Sequence, residues 1–220
     1  MKSLNIVFLG QAGSGKGTQA AILKKIFSLW EIDTGTVLRE LVKKPDYFGE
    51  KIEKVMAQGK LVPLWLAVYC WLDLLMNVPE DKGIILEGSP RQLEEAKILE
   101  EVLNWFGRKN FRAIYLKISD KEVLKRLLAR RLCSQCKKEY SLILTPGVTQ
   151  CSICGGKLIK RADDNPKAIK NRIEFFKKNT LPVINYFRKK KILIEVDGER
   201  PIEEISKEII KKIKKDKKGK

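Results

Sequence analysis

The sequence predicts an α/β fold, a parallel sheet with helices on both faces. Three observations predict it. Short, nearly continuous apolar runs recur at Asn5 to Leu9, Gly83 to Leu86, Ala113 to Ile118 and Ile192 to Val196, as expected of strands buried on both faces. Helical patterns separate them at Thr18 to Leu29, Pro63 to Met76, Leu93 to Asn104, Asp120 to Arg131 and Asn165 to Lys189. That alternation implies parallel pairing. The first apolar run also passes into its helix through a glycine-rich loop.

That loop reads Gly10-Gln11-Ala12-Gly13-Ser14-Gly15-Lys16-Gly17-Thr18. A glycine loop between a strand and a helix turns several backbone N–H groups toward a phosphate, and the helix N-terminus adds partial positive charge. The spacing fits Gly-x-x-x-x-Gly-Lys, with Lys16 placed to reach terminal phosphates. The hydroxyl comes one position late, at Thr18, because Gly17 intervenes.

The segment Cys133 to Gly156 breaks the strand–helix rhythm and reads as a small inserted domain. Cys133-x-x-Cys136 and Cys151-x-x-Cys154 stand fourteen residues apart, close to the spacing of a Cys₄ zinc ribbon. Four thiolates would give a closed structural site, its negative charge offset by Lys137, Lys138 and Lys157. Two disulfides are the alternative, disfavoured in a reducing compartment. Cys70, within a hydrophobic helix, reads as a buried apolar residue.

Length and composition bound the rest. The 220 residues allow one core plus an insertion. No apolar run reaches the ~18 residues of a membrane span: Leu61 to Met76 is broken by Pro63 and Asp73. The N-terminus lacks the features of a signal peptide, so a cytoplasmic protein without membrane contact is expected. The formal charge of +18 points to an anionic partner. Seven lysines and one aspartate fill positions 211–220. They read as an amphipathic helix end fraying into a solvated tail, with a weak RNA contact as the alternative.

Seven motifs in register then resemble the adenylate kinase, or nucleoside monophosphate kinase, family. The loop resembles Gly-x-x-Gly-x-Gly-Lys-Gly-Thr-Gln. Thr34-Gly35-x-x-Leu38-Arg39, Gly59-Lys60-Leu61-Val62 and Glu87-Gly88-Ser89-Pro90-Arg91 follow. Arg126 and Arg130-Arg131 match arginines entering the lid; Arg161-x-Asp163-Asp164 and Arg172 match those leaving it. Val196-Asp197-Gly198 matches the last strand. The resemblance covers roughly residues 5–205. It implies a P-loop three-layer fold with a parallel five-stranded sheet, a helical monophosphate-binding insertion and a small zinc-binding lid. The implied core is 1–33, 63–129 and 165–210, the monophosphate segment 34–62, the lid 130–164 and the tail 211–220.

The activity so implied is reversible, Mg²⁺-dependent phosphoryl transfer from ATP to AMP, by a monomer with no nucleophile. Such transfer needs neutralisation and alignment of two polyanions, for which guanidinium groups are suited. By resemblance the catalytic set is Lys16, Arg91, Arg126, Arg130, Arg161 and Arg172. ATP would be held by Gly13, Ser14, Gly15, Lys16, Gly17, Thr18, Arg130, Tyr140 and Arg200. AMP would be held by Thr34, Arg39, Lys60, Leu61, Val62, Gly88, Arg91, Glu95, Arg161 and Arg172. Thr18 and Glu87 would lie by the Mg²⁺, and Cys133, Cys136, Cys151 and Cys154 would hold Zn²⁺.

Several positions depart from the family pattern. Glu87 replaces Asp, Thr36 an Asp, Ser89 a Phe, and Leu64-Trp65 an acidic pair. Glu95 stands where a Gln would read adenine. A carboxylate only accepts hydrogen bonds, so it suits the two donors of guanine, although Gln92, three residues earlier, could supply the amide if this stretch is helical. GMP use or relaxed specificity is therefore a second reading. A nucleic-acid-binding zinc ribbon is a third, but it gives the arginines no role; an inactive relative is disfavoured by Lys16.

Overall fold

The computed structural model describes residues 4–161 and 163–218. Five parallel strands form the core: β1 (Asn5–Gly10), β2 (Trp30–Asp33), β3 (Ile84–Glu87), β4 (Phe111–Lys117) and, after the lid strands given below, β8 (Leu193–Asp197), in the order β2-β3-β1-β4-β8. Successive β1 side chains go to opposite faces. Val7 and Leu9 join one cluster with Trp71, Leu99 and Phe187, while Ile6 and Phe8 join another with Leu23, Ile209 and Ile213. Helices α4 (Leu64–Met76), α5 (Leu93–Trp105) and α8 (Leu181–Lys189) cover the first face; α1 (Lys16–Phe27) and α9 (Ile202–Lys218) cover the second. Three layers result.

Two helices, α2 (Thr34–Val42) and α3 (Tyr47–Ala57), fill the segment between β2 and α4. Leu38, Ile52, Val62, Leu66 and Cys70 form their own small core, and Asp33 and Asp46 cap the helices by accepting from Gly35 N and Gly49 N. Past α6 (Asp120–Leu128) come β5 (Arg130–Cys133), β6 (Glu139–Ser141) and β7 (Leu158–Ile159), an antiparallel sheet in the order β6-β5-β7. The chain re-enters the core through α7 (Pro166–Phe175).

The structure differs from the sequence expectations in four places. Trp30–Asp33 is a strand that its own residues did not announce: four residues at a sheet edge, with Trp30 exposed, have no continuous apolar run. Helix α6 ends at Leu128, so Arg130 and Arg131 stand on a strand rather than a helix. The expected single helix from 165 to 189 is two, α7 and α8, joined by a π-helical turn at Phe176–Thr180. Pro182 follows that turn and cannot donate the interior helix bond. Finally, α9 does not fray at 211 but continues to Lys218; positions 219 and 220 of the expected tail lie outside the described residues. Among the described residues no helix is long and apolar enough to cross a membrane.

Candidate functional site

The glycine loop leaves β1 and wraps the start of α1. A Cβ on Gly10 would meet Leu116 O and Ser14 Oγ at 2.7 Å, so only glycine fits there. Gly15 caps α1 at φ 92°, a left-handed conformation that favours glycine. Lys16 curls back over the loop, donating to Gly10 O at 3.1 Å and Gln11 O at 2.9 Å. Burial lowers its ammonium to about 8; Glu87 opposes the shift, while Arg91 and Arg130 add to it. The Glu87 carboxyl is pushed up to about 7 by burial, with Lys16 opposing and Asp33 adding. Glu87 Oε2 lies 3.4 Å from the point a Gly17 Cβ would occupy, so this carboxylate faces the start of α1, where Thr18 stands.

Three arginines converge from the two ends of the lid and from α7. Arg130 makes a two-pronged contact with Asp164, at 2.7 and 2.6 Å. Arg161 makes another with Asp163, at 3.1 and 3.2 Å. Arg172 spans both aspartates, contacting Asp163 and, at 3.3 Å, Asp164 Oδ1. Both aspartates are buried. They hold the three guanidiniums side by side against their repulsion. Burial, followed by Arg130, Arg161 and Arg91, lowers Arg172 to about 9. Arg172 is thus desolvated among like charges, a setting that a bound anion would relieve.

The remaining sequence-predicted residues are distributed around this centre. Arg126 is held by Glu122 at 2.8 Å and lies 3.4 Å from Gly13 O. Arg91 donates through Nε to Gly88 O at 2.7 Å. Arg39 meets Asp33 at 3.1 Å and Thr36 Oγ1 at 2.6 Å. Thr34 Oγ1 donates to Ser89 Oγ at 3.1 Å. Lys60 is exposed, Leu61 half-buried and Val62 packed in the small helical core. Arg200 is taken up by Glu208 and lies 3.8 Å from Asp197, so the structure ties it to α9 and β8 rather than to the arginine cluster. Tyr140 is likewise engaged: its hydroxyl donates to Cys151 Sγ at 3.2 Å and accepts from Ser152 N at 2.9 Å.

Glu95 is buried in the first turn of α5, and its Oε2 accepts from Arg91 N at 2.6 Å. Among the described residues its other oxygen, Oε1, has no hydrogen-bond partner. Gln92 is the extended N-cap of α5, not part of the helix, so the helical spacing expected to bring its amide beside Glu95 does not hold. Sequence reasoning missed Asp33, Glu122 and Glu139, which hold the predicted arginines. Asp33 and Glu139 meet arginines on other elements, a placement the motifs do not encode; only the i,i+4 spacing of Glu122 and Arg126 was a readable signal.

In the lid, all four Sγ atoms of Cys133, Cys136, Cys151 and Cys154 lie within 4.8 Å of one another. Cys133 and Cys154 are 3.4 Å apart, Cys136 and Cys151 3.5 Å. Four sulfurs at ~2.3 Å from a tetrahedral metal would be about 3.8 Å apart, whereas a disulfide needs ~2.05 Å. The cysteines are free, and their arrangement fits a metal. The two Cys-x-x-Cys turns match: Lys137 N donates to Cys133 O and Gly155 N to Cys151 O, with Lys137 at φ 61° and Gly155 at φ 70°. The Tyr140 hydroxyl pulls the Cys151 thiol down to about 6, favouring the thiolate a metal binds.

Comparison with known proteins agrees with this geometry. Residues 8–192 match the family described as adenylate kinase. An adenylate kinase from Thermosipho melanesiensis is 40% identical over 209 residues, covering 94% of this chain and 98% of the relative. One from Archaeoglobus fulgidus is 39% identical, covering 94% and 96%. One from Methanocella arvoryzae is 37% identical, covering 96% and 99%.

Proposed function

This chain belongs to the adenylate kinase family, and we propose how its residues divide the family's reaction between them. The reaction is phosphoryl transfer between ATP and AMP. The observation that carries the assignment is the convergence of Arg130, Arg161 and Arg172 on the Asp163–Asp164 pair, near Lys16.

The glycine loop and Lys16 take the donor's terminal phosphates. On binding them Lys16 exchanges two backbone carbonyls for phosphate oxygens, and the added negative charge restores its proton affinity. Arg130 and Arg161, each anchored on one edge by an aspartate, keep N–H groups for the equatorial oxygens of the transferring group. Arg172, Arg91 and Arg39 hold the acceptor phosphate. The three sets align donor and acceptor and exclude water, and no covalent intermediate is needed. Thr18 and Glu87, both oxygen donors, would hold a hydrated Mg²⁺ beside the donor phosphates, where it would offset their charge. The lid cysteines would hold Zn²⁺ as a structural ion. Reduced thiols and nucleotide substrates fit a cytoplasmic location. A coupled assay of ADP formation from ATP and AMP tests the reading, with Lys16→Ala expected to lose at least ~100-fold in kcat.

Glu95 favours AMP over GMP. Recognition of guanine N1–H and its 2-amino group would use both carboxylate oxygens, and Oε2 already spends one of its lone pairs on Arg91 N. Oε1, unpaired among the described residues, is the more available oxygen and suits one exocyclic amino group such as adenine N6. An acceptor panel of AMP, GMP, CMP and UMP checks this; GMP as the preferred acceptor would reject it.

A further inference from the structure

The lid carries one carboxylate that the reaction does not call for. Glu139, on β6, places Oε1 2.9 Å from Arg161 Nη1 and 3.7 Å from Arg130 Nη1. These are the edges of the two guanidiniums that Asp163 and Asp164 leave free. Asp163 and Asp164 are buried, whereas half of the Glu139 side chain is exposed. It is also the partner that solvent can most readily accommodate if it is displaced.

Charge counting gives it a purpose. Arg130, Arg161 and Arg172 carry three positive charges against the two of Asp163 and Asp164. Glu139 neutralises the one left over. Its field also reaches Lys16 and Arg172, so it stands within the same electrostatic cluster as the phosphate loop.

We propose that Glu139 is a positioning residue for phosphoryl transfer: an internal stand-in for a phosphate that gathers Arg130 and Arg161 in the empty protein and is displaced by the nucleotide. This rests on the assignment of those arginines to the phosphates, made above. The contact has two consequences. It keeps the arginines from splaying apart, and it competes with the incoming nucleotide for the same N–H groups. Affinity for ATP and ADP is thereby held below what the bare cations would give, and the phosphates of product ADP leave against a ready replacement.

The test is Glu139→Gln, nearly isosteric and uncharged, compared with Glu174→Gln, which removes an exposed α7 carboxylate from a pair with Lys170. Dissociation constants for ATP and for ADP are measured calorimetrically on the metal-loaded full chain, together with KM and kcat. Removing a unit charge a few ångströms from the phosphates is expected to tighten ATP about 5–10-fold. KM for ATP should fall with it, kcat should not rise, and the gain should shrink in high salt. Glu174→Gln should change ATP affinity less than twofold. An unchanged or weaker ATP affinity in Glu139→Gln, an equal gain in Glu174→Gln, or a raised kcat would each overturn the proposal. Failure of the wild-type protein to form ADP from ATP and AMP would instead overturn the underlying assignment.

Discussion

Lys16 and Glu87 set opposite linkages at a single site. With its folded value lowered to about 8 from 10.5, Lys16 is a cost to the fold that is present below pH 8 and vanishes as pH rises through 10.5. Glu87, raised from 4.5 to about 7, costs stability above pH 7 and not below 4.5. Nucleotide binding should return the Lys16 proton: at pH 8 about half a proton is taken up per ATP bound. Calorimetry in buffers of different ionisation enthalpy measures this, and Lys16→Ala should abolish it. Asp33 offers a second prediction. It caps α2 and also holds Arg39, so Asp33→Asn should raise KM for AMP about tenfold, with a smaller change for ATP. Lys16 and the arginines were legible because phosphate chemistry restricts which side chains serve. Asp33, Glu139 and the second role of Tyr140 were not, since a carboxylate or phenol has meaning only once its neighbours are placed.

At the scale of elements, the two Cys-x-x-Cys turns make unequal use of one geometry. Gly155 is suited to its positive φ, whereas Lys137 occupies the matching place with a Cβ. Lys137→Gly should therefore stabilise the lid by about 0.5–1 kcal/mol, read from the thermal transition of the metal-loaded chain. Gly156 is constrained differently. A Cβ there would sit 2.8 Å from Cys133 Sγ, so Gly156→Ala should lower metal affinity at least tenfold in a chelator competition, with the core's far-ultraviolet dichroism unchanged. Strong apolar runs made β1, β3, β4 and β8 readable. The edge strand β2 has only one buried residue, Ile32, too little for a pattern of its own. The break between α7 and α8 was hidden because the chain stays helical through the π turn at Phe176–Thr180, with only Pro182 to mark the change.

Over the whole molecule, the sheet and the lid draw stability from different sources. The sheet is sealed by two large apolar clusters. The lid's described residues contribute only Cys133, Cys151 and Gly156 to the buried set between 130 and 160, so a metal held by the four cysteines would substitute for a core there. Chelation should lower lid order and ADP formation together while leaving the core transition within a few degrees; retained activity after verified metal removal would contradict this. The lid also leaves and rejoins the core at one point, where Arg130 is clasped by Asp164, and the strands that flank it in sequence, β4 and β8, pair directly from Ala113↔Leu193 to Lys117↔Asp197. Among the described residues, no pairing of the five-stranded sheet involves the inserted segment. The order of assembly follows: the sheet can close first, and an ion held by the lid cysteines would come late. In metal-poor conditions newly made chains would accumulate as a folded but idle reserve, which a later supply of the ion recruits without any refolding of the body.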